Sequence, residues 1–323
     1  MESRTVDKMQ VVCFGGGNAL PKAVLPGLKN YDLCITTVTS MVDSGGSTGA
    51  LRKMYNILPP GDIRRHLLAL SDAPEWKKQL FAFRFGEENF GEGHKGHVLG
   101  NVFIAALEYY LKDYTKILEI VHDFLEVKGR CLPATIDKTH LYAVLENGQI
   151  IEGEDEIDVP KNHDPTLRIK KIFSKPEAKV YGPAVEAVRE ADVILIGPGD
   201  LYSSILPCFL PKGMKEAIQQ AKGKKIFISP LMTKKGETHG FRLMDFVEEV
   251  ENYIGCKLDY IIYNTKVPPK EKIEAFLAEE KYLQEMVLGD EGLDDRFIGR
   301  DLLVEDKILH HPEKLARTIL EII

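Results

Sequence analysis

Two glycine-rich loops, each following a short apolar run, decide the fold. The first is Val11-Val12-Cys13-Phe14-Gly15-Gly16-Gly17-Asn18. The second is Leu33-Cys34-Ile35-Thr36-Thr37-Val38-Thr39, closed by Asp43-Ser44-Gly45-Gly46-Ser47-Thr48-Gly49. A helix-like stretch runs to about Leu28 between them. Strand, glycine turn, helix and strand are the opening of a βαβ unit. The runs are continuous rather than alternating, as expected of parallel strands covered on both faces.

The same grammar returns further along. A helix over 182–190 precedes Asp192-Val193-Ile194-Leu195-Ile196, which ends in Gly197-Pro198-Gly199-Asp200. Lys225–Ser229 and Leu258–Tyr263 read as strands, with helices over 212–221 and 243–253 and a last one over 312–322. Between the two α/β stretches lies an insertion, about 61–175. Its first part, to Val127, has helical spacing. Thr139–Val144 and Gln149–Glu152 flank Asn147-Gly148, the signature of a β-hairpin turn. Glu152–Pro165 is acidic and rich in turn residues and reads as an exposed loop. The expectation is one α/β domain over 1–323, a doubly wound, mostly parallel sheet with inserted helices and a β-hairpin.

Composition narrows the function classes. The 323 residues are 44% apolar, enough for a real core. Asp plus Glu (49) outnumber Lys plus Arg (42), a net charge of −7. That balance argues against a nucleic-acid binder, which needs a basic surface. No window reaches the roughly 18 apolar residues of a membrane helix, and the first residues lack the apolar stretch of a secretory signal. Cys13, Cys34, Cys131, Cys208 and Cys256 form no Cys-x-x-Cys pair, so a reducing cytoplasm is the expected location.

In a parallel α/β sheet, ligands bind beyond the carboxyl ends of the strands. Four polar loops are expected on that edge: Gly15–Asn18, Asp43–Gly49, Gly197–Ser204 and Met232–Thr238. Gly15, Gly16 and Gly17 permit close approach of a phosphate to backbone N–H groups, or simply a tight turn. The dinucleotide fingerprint is incomplete, since Leu20 stands at the third glycine and Thr39-Ser40 where an acidic residue would close the second strand. Ser47 and Thr48 offer hydroxyls, and Arg52 a guanidinium fork, to a phosphate. Asp43 could hold magnesium or a sugar hydroxyl; the same loop could also be only a helix cap. Pro59-Pro60-Gly61-Asp62-Ile63-Arg64 reads as a stiff turn with Asp62 as N-cap and Arg64 as a surface charge. His97, in Gly96-His97-Val98-Leu99-Gly100-Asn101, is a candidate base or phosphate donor, or a hydrogen-bonded structural residue; His94 reads as a loop residue. Ser203 lacks the Gly-x-Ser-x-Gly context of a nucleophile.

Taken in order, these segments resemble one family. Gly-Gly-Gly-x-x-Leu, Val-Asp-x-Gly-Gly-Ser-x-Gly-x-Leu-Arg, Leu-Pro-Pro-Gly-Asp-Ile-Arg, Gly-His-x-Leu-Gly-Asn, Leu-Pro-Ala-Thr (Leu132–Thr135), Gly-Pro-Gly-x-Leu-Tyr-x-Ser-Ile-Leu-Pro (Gly197–Pro207) and Met-Thr-x-x-Gly-Glu-Thr are all present. The chain resembles the gluconeogenesis-factor (YvcK-type) family, in the superfamily of 2-phospho-L-lactate transferase (CofD). The resemblance implies a Rossmann-like fold and a nucleotide-diphosphate site. In one branch the ligand is a UDP-sugar and the role regulatory, in carbon use and cell shape. In the other, phospholactate passes from a GDP-linked donor to a deazaflavin, with magnesium.

On this reading Gly15, Gly16, Gly17 and Asn18 contact phosphate or ribose. Asp43, Ser47 and Thr48 contact the diphosphate or magnesium, and Arg52 and Arg64 supply positive charge. His97 and Asn101 line the crevice; Gly199, Asp200 and Ser203 close it. In the transferase alternative, Asp43 with magnesium, or Asp62, assists the attacking hydroxyl. The chain departs from the resemblance at Asp200, where serine is common, and at Lys234-Lys235, where a neutral pair is usual; the added lysines could compensate the added charge. His310-His311-Pro312 stands for an Arg-His-Asp. A third class is a pure interaction protein, using Glu152–Asp158 and Asp290–Asp295 as contacts. A homodimer is expected on general grounds.

Overall fold

The structure is a computed structural model and describes residues 8–86 and 96–323. His94 lies outside them. The elements run β1 (Met9–Phe14), α1 (Ala19–Ala23), α2 (Leu25–Leu28), β2 (Leu33–Thr39), α3 (Gly46–Tyr55), α4 (Gly61–Leu70), α5 (Glu75–Ala82), α6 (Leu99–Leu111), α7 (Tyr114–Phe124), β3 (Arg130–Pro133), β4 (His140–Leu145), β5 (Ile150–Glu152), α8 (Glu154–Asp158), β6 (Ile169–Lys175), α9 (Gly182–Glu190), β7 (Val193–Ile196), α10 (Met214–Gln220), β8 (Lys224–Ile228), β9 (Met232–Lys234), α11 (Leu243–Ile254), β10 (Tyr260–Asn264), α12 (Lys270–Glu279), β11 (Leu283–Met286), β12 (Phe297–Arg300) and α13 (Pro312–Ile322).

The main sheet has seven strands in the order β12-β10-β8-β7-β1-β2-β3. Every pair in it is parallel. β1 lies between β2 and β7, with Val11 opposite Ile35 on one side and Val193 on the other. Val11, Val12, Cys13 and Phe14 are all buried, which is why that run carries no alternation. The chain moves outward from β1 through β2 to β3, then returns to β1's other side with β7. The strand order therefore reverses between β1 and β7, and a crevice opens at such a switch point beyond the strand ends.

β3 lies within the stretch read as an insertion, yet it is the edge strand of the main sheet. The expected hairpin forms: β4 pairs antiparallel with β5 across Asn147-Gly148, and β6 completes a second, three-stranded sheet. Gly148 holds φ at +86°, the left-handed conformation that favours glycine in this turn. One large core fills the main sheet's two faces. A small satellite core, with Leu231, Met232, Leu303 and Ile308, lies under α12. Cys13, Cys131 and Cys208 are buried, and all five cysteines are unpaired. Among the described residues no helix is long and apolar enough to cross a membrane.

The acidic stretch after the hairpin departs from its reading as an exposed loop. Glu154–Asp158 form the short helix α8, anchored by the fully buried Ile157. Ser44 ties it to the loop after β2: its backbone N–H donates to Glu154 Oε2 (3.2 Å) and its hydroxyl to Asp155 Oδ1 (2.7 Å). The Asp290–Asp295 stretch is engaged locally, Asp290 accepting Met244 N–H at the start of α11 and Asp294 pairing with Arg296.

Candidate functional site

Loops from β1, β2, β7 and β8 meet at the switch point and enclose a cleft of two chambers. The first, about 450 Å³, is lined by Gly17, Asn18, Asp43, Asp62 and Arg65, with α8 across it. The second, about 690 Å³, is lined by Gly16, Gly199, Met232, Phe276, Ile308 and His310, among others. Asn18, Asp158, Val159, Asp200 and Ser204 belong to both. A larger cavity of about 1000 Å³ lies between α12 and α13, away from these loops.

The glycines of the first loop allow three backbones to converge. A Cβ on Gly16 would stand 2.5 Å from Ser204 Oγ, and one on Gly17 2.4 Å from Asp62 Oδ1. His66 contacts the Gly16 carbonyl through Nε2 (3.1 Å) from a fully buried position. Burial holds its pKa down to about 4, so the ring is neutral and donates to that carbonyl.

Seven of the expected residues line the cleft: Gly16, Gly17, Asn18, Asp43, Asp62, Gly199 and Asp200. The others stand behind it. Arg64 is not a surface charge; it is buried, with Nε donating to Asn101 Oδ1 (2.8 Å). Asn101 in turn donates to Ser47 Oγ (3.3 Å), which meets His97 Nδ1 (3.1 Å). This network holds α3, α4 and the start of α6 together. Arg52 donates to the backbone carbonyls of Val42 and Thr139, stapling the loop after β2 to the approach to β4. Thr48 is buried against Asp43, Gly15 is buried beneath the loop, and Ser203 bonds to Glu237 (2.8 Å). Asp62 is not the N-cap. That position is Pro60, and Asp62 sits inside the first turn, paired with Arg65 (2.8 Å).

The first chamber is a region of crowded carboxylates. Asp43 accepts from Gly45 N–H (2.9 Å), yet burial raises its pKa. Burial and the neighbouring Asp43 push Asp62 up to about 7. Glu154 is raised by burial and then by Asp43, Asp158 and Asp62. Arg65 and Lys161 are the basic residues of this wall.

A second acidic group, Asp158, Asp200 and Glu237, has the spacing of a metal site. An ammonium already fills it. Lys234 Nζ pairs with Asp158, lies 3.1 Å from Asp200 and 3.5 Å from Glu237, and is mostly buried. The charge brought by Asp200 is thus met by Lys234. Glu237 also accepts from the backbone N–H groups of Tyr202 (2.8 Å) and Ser203 (3.1 Å), capping the helical turn Leu201–Ile205.

Arg65 and Lys161 line the cleft without having been singled out from the sequence; Glu154, Asp155 and Asp158, read only as a contact stretch, and Ser204 and His310, named only within their motifs, line it too. Arg65 had a signal in its neighbour Arg64. α8 had one in a lone Ile among acids.

Comparison with known proteins gives the family. The family model for 2-phospho-L-lactate transferase CofD matches residues 11–295. Proteins called gluconeogenesis factor are similar over nearly the whole chain. The one from Halalkalibacterium halodurans is 36% identical, covering 97% of this chain and 96% of its own. The one from Bacillus subtilis is 34% identical, covering 98% of both. This chain belongs to the CofD family and is of the gluconeogenesis-factor type. The crystal structure of a UPF0052-family protein from Bacillus halodurans superposes with a TM-score of 0.87 at 35% identity, covering 97% of this chain and 99% of that one. The α/β fold of this family member is therefore shared with a solved relative.

Proposed function

We propose that this family member binds a nucleotide diphosphate, a UDP-sugar, and acts as a regulator of carbon metabolism and cell shape rather than as a catalyst. One observation carries the reading: loops from four strands wall a single cleft where the strand order reverses. Gly16, Gly17 and Asn18 would meet the diphosphate, with Gly199 and Ser204 opposite. The unpaired cysteines suit a cytoplasmic setting.

Asp43, Asp62 and Glu154 line the first chamber with hard carboxylate oxygens, and these residues would hold a magnesium ion there. When bound, it would neutralise phosphate charge. Arg65 would hold Asp62 in place, and Arg52 would hold the loop that carries Asp43.

Isothermal titration calorimetry in magnesium, with UDP-N-acetylglucosamine, UDP-glucose, GDP and NAD, tests the reading. The expected result is binding of the UDP-sugars and none of NAD. No heat with any diphosphate would overturn it. A transferase reading is favoured by the Asp62 carboxyl alone, which at about 7 is poised to take a proton from an acceptor hydroxyl. Phosphorus NMR with a GDP-linked phospholactate donor, magnesium and a deazaflavin decides it: release of GMP supports transfer, while an unchanged spectrum with donor bound rules against it.

A further inference from the structure

α5 has two apolar faces, and its own chain buries one of them. We infer that the other, the stripe Trp76, Leu80 and Phe83, packs against the same stripe of a second copy and makes this protein a two-fold dimer. The inference does not depend on the nucleotide reading, because none of the described residues of α5 lines either chamber of the cleft.

The buried face is that of Phe81. Its ring stands 5.8 Å from that of Phe103 on α6 and 6.0 Å from that of Phe124 at the end of α7. At 3.6 residues per turn, Trp76, Leu80 and Phe83 fall within about 60° of one another and at least about 100° from Phe81. Their i, i+4, i+7 spacing is that of a helix face built to pack. Yet Trp76 keeps 61% of its surface exposed, Leu80 45% and Phe83 51%. Single exposed apolar residues need no explanation, but a contiguous stripe marks a contact surface. Phe83 meets the Phe85 ring at 5.2 Å, which braces the end of the stripe. Tyr55 and Tyr109, also exposed, already meet each other edge to face, with Lys112 over the second.

Charge and area favour an identical partner. The charged residues of α5 are turned to their own chain: Glu75 pairs with Lys78 and Lys77 with Glu126, both at 2.8 Å. Lys77 also lies over the Phe124 ring. Nucleic acid or an anionic bilayer is drawn by a cluster of unpaired cations. A second uncharged stripe needs none, and no like charges oppose it. An aromatic side chain can bury about 150–250 Å², so each of the two rings has roughly 100–150 Å² left to bury. That suffices for the packed centre of an interface of about 800 Å² per copy, where a few such residues carry most of the energy. The exposed Glu75 and Gln79 beside them give a polar rim. A two-fold axis through the centre of the stripe brings Leu80 against its own copy. With the helices antiparallel, Trp76 then meets Phe83 of the second copy.

Trp76 is the single tryptophan of the chain, so its fluorescence reports this face alone. Sedimentation and tryptophan emission of the full chain are followed over a dilution series. The expected result is a dimer with blue-shifted emission that moves to the red in step with dissociation. Leu80→Asp and Leu80→Lys put like charges at the axis, and each alone should weaken the dimer by about a hundredfold or more, with circular dichroism unchanged. Mixing the two variants should restore the dimer, because position 80 then pairs opposite charges. A mixture that stays monomeric overturns the inference. So does a dimer whose Trp76 stays red-emitting and open to a quencher, since another face then joins the copies. A monomer at every concentration overturns it as well: blue emission from that monomer means cover by its own chain, and a blue shift on adding phosphatidylcholine vesicles means a bilayer. Should either variant misfold, the dilution series of the parent decides alone.

Discussion

Two carboxylate clusters flank the cleft, and they are neutralised in opposite ways. Asp158, Asp200 and Glu237 surround one ammonium, that of Lys234. Glu237 spends its remaining capacity on Ser203 and two backbone N–H groups. Asp43, Asp62 and Glu154 have Arg65 on Asp62, backbone donors on the other two and, among the described residues, no paired ammonium. The first cluster is a finished piece of structure. The second keeps surplus negative charge in a buried place, which costs stability unless a proton, a cation or a ligand donor relieves it. Spacing alone marks the first cluster as a possible metal site; the position of one lysine shows that an ammonium already occupies it.

The largest test of that contrast is Lys234→Met. It leaves three carboxylates around an apolar side chain. Removing one partner of a buried ion pair costs about 3–5 kcal/mol, so urea unfolding should show a loss of that order. A loss below about 1 kcal/mol would mean that the two clusters do not differ as described.

A smaller effect is expected from pH at the open cluster. The Asp62 carboxyl is held up to about 7 by burial and by Asp43. Between about pH 4 and 7 this carboxyl therefore holds more proton in the folded state than in the unfolded chain, and its contribution to the parent's stability falls as pH rises. Asp62→Asn lacks this dependence. With EDTA present, the variant should gain on the parent by about 3 kcal/mol across that window and run parallel to it above the window. His66 and His310, both held down to about 4, act with the opposite sign. They are common to both proteins and cancel in the difference. A constant offset between the two curves would sink the argument.

The contrast also marks what could be read from sequence. β1, β2 and β7 are legible because apolar runs of four to seven residues have few other uses. The hairpin is legible from Asn147-Gly148. β3 is not, having only four residues with Arg130 exposed. α12 is not, because none of its residues is buried. At the site, backbone loops were legible and side-chain directions were not. Arg64 and Arg65 are adjacent, and one helical step sends the first to Asn101 and the second to Asp62. Nothing in a row of charged residues tells which will face inward. The same holds for α8, whose acids look solvated until Ile157 is seen to pin them over Asp43.

The smallest expected effect is the most specific. Asp43→Asn keeps the oxygen that accepts from Gly45 N–H and changes volume little. It removes one carboxylate from a cluster in which Asp62 and Glu154 are both raised by Asp43's charge. Relief of that repulsion should offset the weakened hydrogen bond, leaving stability within about 1 kcal/mol of the parent in urea unfolding without metal. Neutralisation at the open cluster would then be nearly free, while the same operation at Lys234 is costly. Added magnesium separates the cases again. It should raise the parent's unfolding midpoint through binding to the folded state, and raise that of Asp43→Asn much less. Equal shifts in the two proteins would show that the cation, if bound, is held elsewhere, and the first chamber would lose its claim to it.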